Sequence, residues 1–271
     1  MSRIAARMSD LKSRQRKALV PYVTAGDPQP DVTVPLLHAM VQAGADILEI
    51  GVPFSDPMAD GPVIQAACER ALRHHVTLHQ VLDMVREFRR QDDTTPVILM
   101  GYLNPIEVWG YTGFAQAAAA AGVDGVLTVD MPPEEAEELA AAFRQNDIDT
   151  IFLIAPTSDA ERMRRVGEMA SGFLYYVSFK GVTGANRLDV QAVTMKLEEL
   201  RKFTELPVGV GFGIRDGASA AQVAQVADAV VVGSVLVSKV AELADKPATI
   251  PAQVAAIVGE LRAAMDAAGT G

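Results

Sequence analysis

Cysteine is nearly absent from this chain. Cys68 is the single one among 271 residues, so no disulfide can close within the chain, and a reducing, cytoplasmic setting is predicted. No apolar run is long enough to cross a bilayer. The opening MSRIAARMSDLKSRQRK carries charge throughout and lacks the apolar centre of a secretory signal. Basic runs are missing too: 34 acidic residues outnumber 24 basic ones, for a net charge of -10. A nucleic-acid surface is therefore not expected, and any phosphate ligand must be held mainly by backbone groups. The four histidines (His38, His74, His75, His79) form neither His-x-His nor His-Glu-x-x-His, so no metal site is predicted. Cys68 falls mid-helix with no base near it in sequence and reads as inert core.

What the chain does have is alternation. Hydrophobic residues make up 49% of it, enough for a large core. Ile4, Met8 and Leu11 recur at helical spacing, which predicts a short N-terminal helix able to plug one end of the fold. Eight short apolar strands follow, within ALVPYVTAGDP, ILEIG, PVILMGYL, GVLTVD, TIFLIAP, FLYYVS, LPVGVGFG and AVVVGS. Helical stretches separate them: Val34–Ala43 with Thr33 as N-cap, Val63–Arg73, Leu78–Arg90, and a pattern around Phe114–Ala121. Further helices are predicted from Pro132-Pro133-Glu134-Glu135, after Ser158-Asp159, over Leu188–Phe203, Asp216–Ala227 and Val235–Leu243, with a last one in PAQVAAIVGELRAAM. Strands alternating with helices imply a parallel sheet with right-handed crossovers. Strand count and length favour an α/β fold, the (β/α)8 TIM barrel, with one extra helix at each end, as a single domain over residues 1–271. A doubly wound sheet would want Gly-x-Gly-x-x-Gly after its first strand, where this chain has Ala-Gly-Asp-Pro.

In such a barrel the chemistry gathers at the carboxyl ends of the strands. The stretch ILEIGVPFSDPMADGPVIQ, from Ile47 to Gln65, places one carboxylate, Glu49, near the end of an otherwise apolar strand. Side chains alternate along a strand, so Leu48 and Ile50 suit the surrounding helices, and Glu49 points into the mouth. Apolar surroundings would raise its pKa into the range useful for proton transfer. Asp60, on the loop that follows, can reach over the same mouth. From position alone, a structural ion pair suits Glu49 equally well, and turn-forming suits Asp56 and Asp60. Glycines recur after later strands at Gly181-Val-Thr-Gly184, Gly211-Phe-Gly213 and Gly233-Ser234, the last where a helix begins. Backbone N–H groups there can hold an anion. Tyr22, Tyr102, Leu127, Tyr175 and Phe212 could line a flat pocket between, although each also suits plain core packing.

GVPFSDPMADGPVIQ preceded by LEI resembles the signature of the tryptophan synthase alpha subunit family. The likeness runs through LVPYVTAGDP, YLNPI, DMPPEEA, FLIAPTS, YYVS, GVTGA, PVGVGFGI and VVVGSVLV, in the family's order. The resemblance implies retro-aldol cleavage of indole-3-glycerol phosphate to indole and glyceraldehyde 3-phosphate, with no cofactor in this chain. It implies Glu49 as general acid/base and Asp60 as the group holding the indole N–H. Gly184, Phe212, Gly213, Gly233 and Ser234 would cradle the phosphate, and Tyr22, Tyr102, Leu127, Tyr175 and Thr183 would form the indole pocket. It also implies a pyridoxal-phosphate beta subunit as partner in an alpha2beta2 assembly, with residues 53–60 and 179–188 as lids and coupling surface. Asn104-Pro105 would lie on the partner-facing side. Three departures fall at lid and rim: Phe179-Lys180 where threonine or arginine is frequent, Leu103 for an aromatic, and Val129 for a proline. The alternatives are a stand-alone lyase on the same substrate, an inactive activating subunit, and another phosphosugar isomerase or aldolase. An imine-forming aldolase would need a strand-end lysine, and Lys180 is the nearest.

Overall fold

The computed structural model describes residues 2–178, 189–211 and 213–268. Nine parallel strands are found among them: β1 Ala18–Thr24, β2 Leu48–Gly51, β3 Val97–Gly101, β4 Gly125–Thr128, β5 Asp149–Ile151, β6 Leu153–Ile154, β7 Leu174–Val177, β8 Val208–Gly211 and β9 Ala229–Val232. Their order is β5-β4-β3-β2-β1-β9-β8-β7-β6. The two ends of that order are neighbours in the chain, parted by Phe152 alone, so the sheet curls into a barrel. The predicted fifth strand is thus two short ones, the first pairing with β4 and the second with β7. Its alternation survives the break: Ile151 faces the barrel interior while Phe152 and Ile154 pack outward.

Around the barrel run α1 Arg3–Ser13, α2 Pro30–Gln42, α3 Pro62–Leu72, α4 Leu78–Arg89, α5 Leu103–Trp109 and α6 Tyr111–Ala121. They continue as α7 Glu137–Gln145, α8 Ala160–Met169, α9 Val190–Leu200, α10 Gly217–Ala224, α11 Ser234–Glu242 and α12 Ile250–Ala268. Sequence capping signals account for several starts. Thr77 and Gln80 form a capping box on α4, Asp159 accepts the Arg162 N–H on α8, and Asp216 with Ser219 boxes α10.

Three local expectations are corrected. Helix α2 begins at Pro30 with Gln29 as N-cap. Thr33 lies inside it, its hydroxyl accepting the Gly26 N–H at 2.9 Å, so a contact across the preceding turn takes the place of capping. Helix α7 starts at Glu137, because Pro132 to Glu135 form turns first. Leu103–Trp109 is a helix where the sequence suggested connection only.

Two apolar layers hold the barrel. Leu19, Leu48, Ile50, Val97, Leu99 and Val230 face the helices. Ala18, Val20, Ile47, Ile98, Leu127 and Val231 fill the interior, and Ile4, Met8 and Leu11 of α1 stop its amino end as expected. That end also carries a threefold device. Asp46, Asp124 and Asp228 each donate a backbone N–H to a carbonyl of the neighbouring strand (Leu19, Val97, Val208). Each carboxylate then accepts the N–H of that same residue, at 2.9, 2.8 and 3.0 Å. The side chain supplies a hydrogen-bond acceptor for a backbone N–H at the start of the neighbouring strand.

Candidate active site

At the carboxyl end of the barrel the electrostatics reverse. Glu49 sits between Tyr22 of β1 and Ile98 of β3 in register and is 1% exposed. Neither of its carboxyl oxygens has a hydrogen-bond partner among the described residues. Burial, with a smaller contribution from the negative charge of Asp60, pushes its pKa up to about 8. A carboxyl group in this state is protonated at neutral pH and exchanges its proton close to it.

Asp60 stands on the loop between β2 and α3. The Tyr102 hydroxyl donates to its Oδ2 at 3.0 Å and accepts the Ala59 N–H at 2.9 Å. Burial raises the Asp60 pKa, and the Tyr102 bond offsets part of the rise. Two carboxylates therefore share one mouth in different settings, Glu49 unpaired and Asp60 oriented by a phenol. Burial, together with these negative charges, holds the Tyr175 hydroxyl neutral.

Both carboxylates open onto a cavity of about 1130 Å³, whose walls include Tyr22, Ile64, Met100 and Tyr175. Gly213, at φ +79 where glycine is favoured, and Gly233-Ser234 at the start of α11 line the same cavity. No side chain caps that helix start, so its positive end faces the cavity. The arrangement suits a ligand with an anionic end, an aromatic body and a bond to be broken beside Glu49. Among the described residues, no three His, Cys, Asp or Glu are placed to hold a metal. His38 and His79 stack on Phe88 and Trp109.

Of the predicted site residues, Glu49, Asp60, Tyr22, Tyr175, Gly213, Gly233 and Ser234 meet around this cavity. Tyr102 serves Asp60 through its hydroxyl and is not among the wall residues. Leu127 does not reach the wall either. It is fully buried in the interior layer, paired with Met100 and Ile151, and Met100 takes the wall position. Phe212, Thr183 and Gly184, with the rest of 179–188, lie outside the described residues. Sequence reading passed over Ile64, Met100 and Gln65. Met100, two residues beyond the inward-facing Ile98, could have been found by carrying the inward parity along β3.

A family model described as tryptophan synthase alpha chain matches residues 8–266. The tryptophan synthase alpha chain of Thioalkalivibrio sulfidiphilus is 64% identical over 266 residues, covering 98% of this chain and 100% of that one. That of Nitrosococcus oceani is 62% identical over 267 residues, covering 98% of each. A crystal structure of the alpha subunit from Legionella pneumophila superposes with a TM-score of 0.93 at 45% identity, covering 98% of this chain and 99% of that one. Fold, cavity and kinship agree: this chain belongs to the tryptophan synthase alpha chain family, the lyases that cleave indole-3-glycerol phosphate in tryptophan biosynthesis.

Proposed function

We propose that Glu49 and Asp60 perform this cleavage, with the substrate phosphate at Gly213, Gly233 and Ser234 and the indole ring among Tyr22, Ile64, Met100 and Tyr175. Gly184, Phe212 and Thr183 complete the phosphate cradle and indole pocket in this reading. The observation that carries it is the buried Glu49 carboxyl, unpaired at both oxygens among the described residues, on the same cavity as an uncapped helix start.

Protonated Glu49 gives its proton to the ring carbon bearing the side chain, which leaves a cation spread over the indole nitrogen. The Asp60 carboxylate accepts the N–H hydrogen bond and stabilises that cation more than the neutral ground state. The Glu49 carboxylate then removes the proton of the adjacent hydroxyl. A carbonyl forms, the carbon–carbon electrons return to the ring, and Glu49 ends as it began. No group outside this chain is needed for the step, in keeping with a family that has no cofactor of its own.

In this reading the chain is one barrel domain that works in the cytoplasm beside a pyridoxal-phosphate beta subunit, in an alpha2beta2 assembly. Residues 53–60 and the region of Asn104 form part of the partner-facing surface. The exposed Met58 and Val108 fall in these stretches, where an apolar contact is expected. The test is indole release from indole-3-glycerol phosphate by the full chain, with and without the beta chain. Release that rises on adding the partner fits the assembly, and release indifferent to it describes a stand-alone lyase. No release in either case would overturn the reading.

A further inference from the structure

Asp60 can favour the cationic ring only if its carboxylate is held still, yet it sits on a loop punctuated by Pro53, Pro57 and Gly61. The carboxylate itself is held by Tyr102 at the end of β3. The backbone beneath it has a second holder. Gln65, on the first turns of α3, sends its Nε2 to the Asp60 carbonyl at 2.9 Å and to the Pro57 carbonyl at 3.3 Å. Both partners are carbonyl oxygens, which only accept, so the amide nitrogen must be the atom that faces them. Gln65 is anchored in turn by its own N–H to the Gly61 carbonyl. Helix α3 is fixed lower down, where Arg70 grips the buried Asp27 with two bonds of 2.6 and 2.8 Å.

We propose that Gln65 is a positioning residue for the cleavage. Its side-chain amide ties both ends of the Pro57–Asp60 turn to α3, and with Tyr102 it clamps Asp60 at the geometry the cationic ring requires. The clamp rests on the reading of Asp60 given above. Neither the glutamine nor the bond pair touches the cavity chemistry directly, so the effect passes through Asp60 alone.

The test uses the full chain and indole release, with Gln65→Leu, Gln65→Glu, Asp60→Asn and the Gln65→Leu/Asp60→Asn pair. Losing two neutral hydrogen bonds at a turn lowers kcat about tenfold in Gln65→Leu with KM little moved, and the thermal midpoint stays near wild type. In the Asp60→Asn background the same change costs less than about twofold, because residues acting as a unit are not additive. Gln65→Glu is worse than Gln65→Leu at alkaline pH, where a carboxylate faces two carbonyl oxygens. Its ratio to wild type recovers as pH falls, since only the protonated acid can donate. Wild-type kcat in Gln65→Leu, or a full tenfold loss repeated in the Asp60→Asn background, overturns the clamp while leaving Asp60 catalytic. A pH-independent ratio for Gln65→Glu overturns it as well. Full activity in Asp60→Asn overturns the role of Asp60 first and the clamp with it, and is thereby told apart.

Discussion

The two ends of the barrel treat carboxylates in opposite ways. At the amino end, Asp124 is met by Arg89 at 2.6 Å, Arg3 at 2.8 Å and the Val97 N–H. Asp46 has Arg262 at 3.1 Å and the Leu19 N–H, with Arg16 and Arg7 further out. At the carboxyl end, Glu49 is buried as deeply and neither oxygen has a partner among the described residues. Glu49, Asp46 and Asp124 are all shielded from water, so the difference lies in what replaces it. Where fixed donors replace it, a carboxylate becomes a stable joint between strands. Where nothing does, the charged form is disfavoured and the group is left ready to trade a proton.

The sharpest way to break the contrast is Glu49→Gln. General acid/base work of this kind is worth about a thousandfold, so indole release should fall by that order or more. The folded state should meanwhile hold or gain stability, because a buried group with no partner for its charge is replaced by a neutral one. Loss of both activity and thermal midpoint would mean that Glu49 is a structural residue like those below. The mirror experiment is Asp124→Ala. Leaving two arginines and a strand N–H without their acceptor costs about 3 kcal/mol, read by denaturant unfolding, while kcat below the unfolding range stays near wild type.

A smaller effect follows from pH. The folded pKa of Glu49, about 8, lies above its unfolded value near 4.5. Between those limits the folded state holds the proton more tightly than the unfolded one, so its contribution is full below pH 4.5 and is lost as pH rises through about 8. Wild type should therefore lose stability relative to Glu49→Gln across that window, and a gap that does not widen with pH would contradict the unpaired setting. Indole release should fall above about pH 8 for the same reason. The least effect is expected from a carboxylate at neither end: Glu168, exposed on α8 and paired with Arg164. Glu168→Ala should change stability by about 0.5 kcal/mol or less, measured in the same unfolding series.

The alternation of strand and helix, the inward parity of Glu49 and the helix starts at Asp159 and Asp216 were legible because each depends on residues close in sequence. The amino-end aspartates were not. Asp46, Asp124 and Asp228 look like turn residues until the neighbouring strand is laid beside them. Thr33 misled for the same reason, since its hydroxyl answers Gly26 across a turn. Helix α5 was hidden by Asn104-Pro105, which punctuates most chains but here falls inside a first turn, where proline is tolerated. Tyr102 was picked for its aromatic face and proved to act through its hydroxyl. Leu127 was picked for its strand position and is covered in the interior layer beside its register partner Met100, which takes the wall position. For a side chain inside a barrel, parity tells in from out, but which inward neighbour reaches the cavity comes only from packing.

The plug formed by α1 governs traffic. With Ile4, Met8 and Leu11 seated in the floor, the axis is a blind shaft. In the proposed reading, substrate, aldehyde and indole all use the rim where Asp60 and Ser234 stand. A second enzyme collecting the indole could intercept it only by docking over that doorway, and docking there would also decide when the next substrate is admitted.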